Sequence, residues 1–81
     1  MPKTIFSAPQ ECLQELLRQI RMDAGFTQGD VAQRLKQPQS FVSKYESGER
    51  RLDVIELRQI CGILGISLAK FVEKFEKALN K

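Results

Sequence analysis

Thr27-Gln28-Gly29-Asp30-Val31-Ala32-Gln33-Arg34-Leu35-Lys36-Gln37-Pro38-Gln39-Ser40-Phe41-Val42-Ser43-Lys44-Tyr45-Glu46-Ser47-Gly48 is the most informative segment of the chain. Thr27 suits a helix N-cap, and Asp30 stands three positions on, where cap and helix can exchange hydrogen bonds. Val31, Ala32 and Leu35 then recur at helical spacing on one face. Lys36-Gln37-Pro38 breaks that helix. Pro38 fits the first turn of another short helix, running to Tyr45 or Glu46, with Val42 and Tyr45 on its inner side. Gly48 ends it. The stretch therefore predicts two short helices joined by a turn of about three residues.

The same periodicity continues on both sides. Upstream, Ser7-Ala8-Pro9-Gln10 opens a helix, with Ser7 as cap, Pro9 in the first turn and Gln10 closing a capping box. Leu13, Leu16, Leu17, Ile20 and Ala24 form its apolar stripe, and Gly25 stops it. Downstream, the polar loop Glu49-Arg50-Arg51 leads to a capping pair, Asp53 and Glu56. Val54, Leu57, Ile60, Cys61 and Leu64 make the next stripe, ended by Gly65. Ser67 caps a last helix carrying Leu68, Phe71, Val72, Phe75 and Leu79. No stretch alternates with period two over strand length. The expected fold is all-α: one compact domain of five helices over residues 7–81, preceded by a flexible arm, residues 1–6, in which Ile5 and Phe6 are free to dock.

Composition excludes several function classes. The chain has 81 residues, two cysteines and no histidine, too short for a second domain. Cys12 and Cys61 are too few for a disulfide scaffold and, without histidine, make no ordinary zinc site. They read as small buried or half-buried helix residues. No Ser-His or Cys-His nucleophile pair is possible, and no paired carboxylates or phosphate loop point to an enzyme. No metal, cofactor or small-molecule ligand is expected. No apolar run approaches the roughly 18–20 residues of a membrane span, and Met1–Phe6 lacks the apolar core of a signal peptide. A cytoplasmic protein without membrane contact is expected.

The net charge of +3 is unevenly placed. Between Arg34 and Arg51, five basic residues (Arg34, Lys36, Lys44, Arg50, Arg51) face two acidic ones (Glu46, Glu49), and the rest of the chain is neutral. Charge alone fits either a polyanion partner or a solvated surface. The helix pair adds to it. Ala32 is small where a second helix would cross, Val31 and Leu35 lie one turn apart, and Val42 and Tyr45 face rearward. The front of the second helix then shows Gln39, Ser40, Ser43 and Lys44, hydrogen-bonding side chains of the kind that read base edges. That is helix-turn-helix geometry.

A longer string carries a resemblance: Ile20-Arg21, Gly25-Phe26-Thr27-Gln28, Val31-Ala32, Leu35, Pro38 through Arg51, then Leu57, Ile60 and Leu64-Gly65-Ile66. From Leu17 to Phe71 the chain resembles the Cro/lambda-repressor-like helix-turn-helix regulators, the XRE family. The resemblance implies a five-helix DNA-binding domain that works as a dimer on an inverted repeat. The chain departs from the family's usual Gly in the turn, where it has Lys36, from an apolar residue where it has Gln37, and from Pro before the fourth helix, where it has Leu52. Lys36 is thereby a candidate for a left-handed backbone conformation, at a cost of about 1 kcal/mol.

Carried onto this chain, the resemblance implies that Gln28 holds a phosphate at the start of the second helix. It implies that Gln39, Ser40 and Lys44 meet base edges, and that Ser43, Ser47, Arg50 and Arg51 contact the DNA backbone. Arg21 and Glu46 match a structural ion pair. Phe41 fits either a wedge against a thymine methyl or packing against the partner's surface. A terminal stripe of Val72, Phe75 and Leu79 extends two turns beyond the domain's own core, with Glu73, Lys74, Glu76 and Lys77 opposite. It reads as the homodimer interface of a helix at about residues 67–80, the alternative being that Phe75 folds back onto its own chain.

The expected function is that of a sequence-specific transcriptional regulator, a repressor, acting on double-stranded DNA. An antitoxin or a restriction-modification controller would use the same DNA-binding mode. The reading from a different class is a protein-interaction module without DNA binding, against which the basic segment and Gln39, Ser40 and Lys44 speak.

Overall fold

The computed structural model describes residues 8–80. The arm at 1–6 and the expected cap Ser7 lie outside the described residues. Among the described residues there are five helices and no strand: α1 (Ala8–Asp23), α2 (Gln28–Leu35), α3 (Gln39–Ser47), α4 (Val54–Leu64) and α5 (Leu68–Leu79).

Local chemistry sets the helix starts. Thr27 Oγ1 accepts from the Asp30 amide at 3.0 Å, and Asp30 Oδ2 accepts from the Thr27 amide at 2.9 Å. Asp53 and Glu56 repeat the device ahead of α4, at 2.7 and 3.0 Å. Ser67 accepts from the Lys70 amide at 3.0 Å and starts α5. Each cap satisfies amides that would otherwise lack a partner in the first turn. Pro38 differs from the sequence expectation: it stands just before α3 as an extended N-cap residue without a side-chain bond, and α3 continues to Ser47.

The turn between α2 and α3 depends on Lys36, whose φ of 60° lies in the left-handed region. That conformation lets the Gln37 amide reach back to the Ala32 carbonyl at 3.0 Å and close the end of α2. Gly48 takes the same kind of position after α3, at φ 92°, with the difference that glycine does so without Cβ strain.

The core takes side chains from every helix: Leu17 from α1, Val31 and Ala32 from α2, Val42 and Tyr45 from α3, Ile60, Cys61 and Leu64 from α4, and Phe71 from α5. Each large apolar side chain among them contributes about 1.5–3 kcal/mol by leaving water. Helix α2 packs on α3 and α4, and α1 packs on α3 and α5, so α3 is clamped from behind and its front is left to solvent. Two expected stripe members fall outside the core. Ala24 lies past the end of α1 and is exposed, and Val54 is 63% exposed because it sits at the solvent end of α4, beside an exposed Ile55.

Candidate nucleic-acid interface

Helix α3 presents two faces of opposite character. Val42 and Tyr45 are fully packed behind it, while Gln39, Ser40, Ser43, Lys44 and Ser47 are all exposed in front. Burial, seconded by the neighbouring Glu46 carboxylate, pushes the Tyr45 hydroxyl far above its ordinary range, so Tyr45 stays neutral in the core. The Ser47 hydroxyl, while exposed, already donates to the Lys44 carbonyl at 3.1 Å and accepts from the Glu49 amide at 3.4 Å.

A buried ion pair anchors the helix. Arg21 Nε donates to Glu46 Oε2 at 2.7 Å and its Nη2 donates to Oε1 at 3.1 Å, while Nη1 donates to the Phe26 carbonyl at 2.8 Å. The two side chains are 11% and 4% exposed. A planar guanidinium suits this two-pronged grip. The last turn of α1, the α1–α2 connection and the end of α3 are thereby fixed to one another.

Gln28 extends the network toward the surface. Its Nε2 donates to Glu46 Oε1 at 3.0 Å, and its Oε1 accepts from Gln39 Nε2 at 3.5 Å. Its side chain is thus engaged inside the protein, on the seam between α2 and α3. Sequence reasoning placed Gln28 beside DNA and gave no sign of this link, because the bond to Glu46 joins residues 18 apart in the chain.

Arg50 is also engaged internally. Its guanidinium pairs with the Glu56 carboxylate at 2.8 and 3.3 Å, donates to the Arg51 carbonyl at 2.8 Å, and lies 4.6 Å from the centre of the Phe41 ring. The Asp53 amide and this arginine hold the Glu56 carboxyl below its usual range. Phe41 in turn meets the Tyr45 ring edge-on, with centroids 5.7 Å apart. Phe41 is therefore a shelf between the core and Arg50. Arg51 and Lys44 are exposed, and no salt bridge involving either occurs among the described residues. On α2, Arg34 lies 4.8 Å over the Phe26 ring.

The residues expected to pair two copies are divided. Val72 is 43% exposed. Phe75 is half-buried, packed against the core with its ring stacked on Phe71 at 6.5 Å, and Leu79 is half-buried. Helix α5 lies along α1, so part of the stripe is covered by the chain itself. Among the described residues no helix is long and apolar enough to cross a membrane, and no cluster of His, Cys, Asp and Glu is placed to hold a metal ion.

Residues 17–71 match a family model described as helix-turn-helix. No curated protein matches the sequence. Among solved structures, an XRE-family like protein from Pseudomonas syringae pv. tomato str. DC3000 is similar with 46% identity and a TM-score of 0.84, covering 94% of this chain and 93% of its own. The wild-type restriction-modification controller protein C.Esp1396I has 27% identity and a TM-score of 0.84, covering 93% of this chain and 99% of its own. The same controller as a tetramer in complex with its natural 35 base-pair operator gives 27% identity and a TM-score of 0.83, with 93% and 99% covered.

Proposed function

This chain belongs to the XRE family of helix-turn-helix DNA-binding regulators, and from that premise we propose that it binds an inverted-repeat operator as a homodimer and represses transcription. One observation carries the DNA-reading part. Gln39, Ser40, Ser43 and Lys44 stand exposed on the outer face of α3 while Val42 and Tyr45 seal its inner face. An α-helix fits the major groove, and Gln and Lys carry the donors and acceptors that distinguish base pairs there. Arg51 supplies charge toward phosphates, and Ser43 and Ser47 supply hydroxyls. We assign the protein no catalytic role and place its work in the cytoplasm, where the operator is.

The matches to a controller bound to its operator favour restriction-modification control over an antitoxin role, since that controller is similar over nearly its whole length. The neighbouring genes test this: a restriction enzyme and methyltransferase beside the gene support it, and a toxin gene there overturns it.

The test of DNA reading is selection of binding sites from random duplexes, followed by sequencing. A palindromic motif is expected. Gln39→Ala and Lys44→Ala should each lose about 1–3 kcal/mol of discrimination at particular base pairs. If both variants select the wild-type motif unchanged, α3 is not the reader.

A further inference from the structure

The loop after α3 is tied by its backbone to the DNA-reading helix. The amides of Glu49 and Arg50 both donate to the Lys44 carbonyl, at 2.9 and 3.2 Å. Lys44 is exposed on the outer face of α3. Arg50 therefore starts at the edge of that face, and only its side chain can choose a partner. It turns to Glu56. Nη1 and Nη2 donate to the two carboxylate oxygens at 3.3 and 2.8 Å, Nη1 also donates to the Arg51 carbonyl at 2.8 Å, and the Phe41 ring lies beneath the guanidinium.

Of the two charges, Glu56 is the fixed one. Its Oε1 accepts from the Asp53 amide at 3.0 Å, and its own amide donates to Asp53 Oδ1 at 2.7 Å. A carboxylate in the first turn of α4 is also favoured by the helix dipole. Glu56 cannot follow Arg50 outward, whereas Arg50 sits on a long side chain that is 39% exposed and free to swing. Arg51, the next residue, is exposed, with no salt bridge among the described residues. Two adjacent arginines thus differ: the charge of one is cancelled inside the protein, and that of the other is open.

A phosphate and a carboxylate offer a guanidinium the same thing, two acceptor oxygens side by side. DNA and Glu56 are therefore competitors for Arg50. A half-exposed ion pair is weakly held by itself, but here the Arg51 carbonyl and the Phe41 ring hold the guanidinium in the same place. We propose that Glu56 is a positioning residue that withholds Arg50 from the DNA backbone, so that each copy of the chain engages one phosphate fewer than its basic loop could and affinity for every sequence is held down. The proposal rests on the DNA-binding function given above and goes beyond it, because it assigns the limit on affinity to a residue of α4 that touches no DNA.

The test is Glu56→Gln. It removes the charge and keeps an oxygen for the Asp53 amide, since glutamine also closes a capping box. Glu56→Ala is the second variant, and circular dichroism checks that each is folded. The proteins are titrated with the site that the wild type selects and with an unrelated duplex, over a range of salt, and phosphate contacts are mapped by ethylation interference. Glu56→Gln should bind both duplexes more tightly, and the slope of log K against log salt should steepen by about one for each copy bound. One additional phosphate in each half-site should become sensitive to ethylation. In an Arg50→Ala background, Glu56→Gln should change neither slope nor map, a dependence that a merely structural role for Glu56 would not produce. Slope and map unchanged in both Glu56 variants would overturn the proposal. So would a gain that survives Arg50→Ala, since the carboxylate would then simply repel DNA. A phosphate contact that the wild type loses on Arg50→Ala would overturn it too, since DNA would already hold Arg50. A wild-type protein that binds neither duplex would remove the DNA-binding function itself, and this proposal with it.

Discussion

Arg21 and Glu46 meet between the last turn of α1 and the last turn of α3, joined by two hydrogen bonds of 2.7 and 3.1 Å and almost wholly removed from water. Removing one partner of such a pair strands the other as a buried charge. Glu46→Ala is expected to cost about 3–5 kcal/mol of stability, measured by denaturant unfolding. Replacing both partners by apolar residues of similar size, as in Arg21→Met with Glu46→Leu, should restore much of that loss. A double-mutant cycle with coupling below about 0.5 kcal/mol would show that the pair acts as two independent surface charges.

Lys36 offers the opposite kind of test, a substitution that should stabilise. Its left-handed backbone, at φ 60°, costs a residue with a Cβ about 1 kcal/mol. Lys36→Gly removes that strain and gives some of it back as unfolded-state entropy. A net gain of a few tenths to about 1 kcal/mol is expected, raising Tm by up to about 8 °C for a domain of this size. A lower Tm would mean that the lysine side chain offsets its own strain by contacts along the turn.

The two neighbouring arginines should separate. Arg51 is exposed, so Arg51→Ala should weaken binding to all sequences alike and reduce the slope of log K against log salt by about one. Arg50 covers Phe41 and pairs with Glu56, with its side chain 39% exposed. Arg50→Ala should lower stability by about 1 kcal/mol, from a partly screened ion pair and a cation–π contact. Its salt slope should stay close to wild type. Equal slope changes in both variants would place Arg50 on phosphate despite its internal partners.

On α5 the outward and inward residues should behave differently. Val72 is 43% exposed, whereas Phe75 stacks on Phe71 and packs on the core. Val72→Glu should give a folded chain that is monomeric by light scattering and binds its operator much more weakly. Phe75→Glu should lower the melting temperature, since it forces a charge against apolar neighbours. A Val72→Glu protein that remains dimeric would place the interface away from this face.

The helices were legible because their causes are local. Thr27 with Asp30, Asp53 with Glu56, and Ser67 each act within one turn of chain, and the apolar spacing of Val31, Ala32 and Leu35 or of Ile60, Cys61 and Leu64 needs no knowledge of the rest. The front of α3 was legible for the same reason, since burying Val42 and Tyr45 leaves Gln39, Ser40, Ser43 and Lys44 outside. The destinations of long polar side chains were not. Gln28 and Arg50 look like DNA contacts in sequence, and their internal partners, Glu46 and Glu56, are set by where helices cross and how a loop returns. Phe75 stayed open between a pairing face and its own chain, because the packing of α5 on α1 is a tertiary fact that periodicity does not carry.

The capping boxes at Thr27 and Asp53 also bear on how quickly the chain finds its shape. Each box closes over three residues, and among the described residues no connector between helices is longer than six. Little chain entropy is therefore lost in bringing successive helices together. Topologies rich in such near-neighbour contacts fold in microseconds to milliseconds. A newly made chain of this kind reaches its folded form almost as soon as it is released, so the regulator's response time is set by its synthesis rather than by folding.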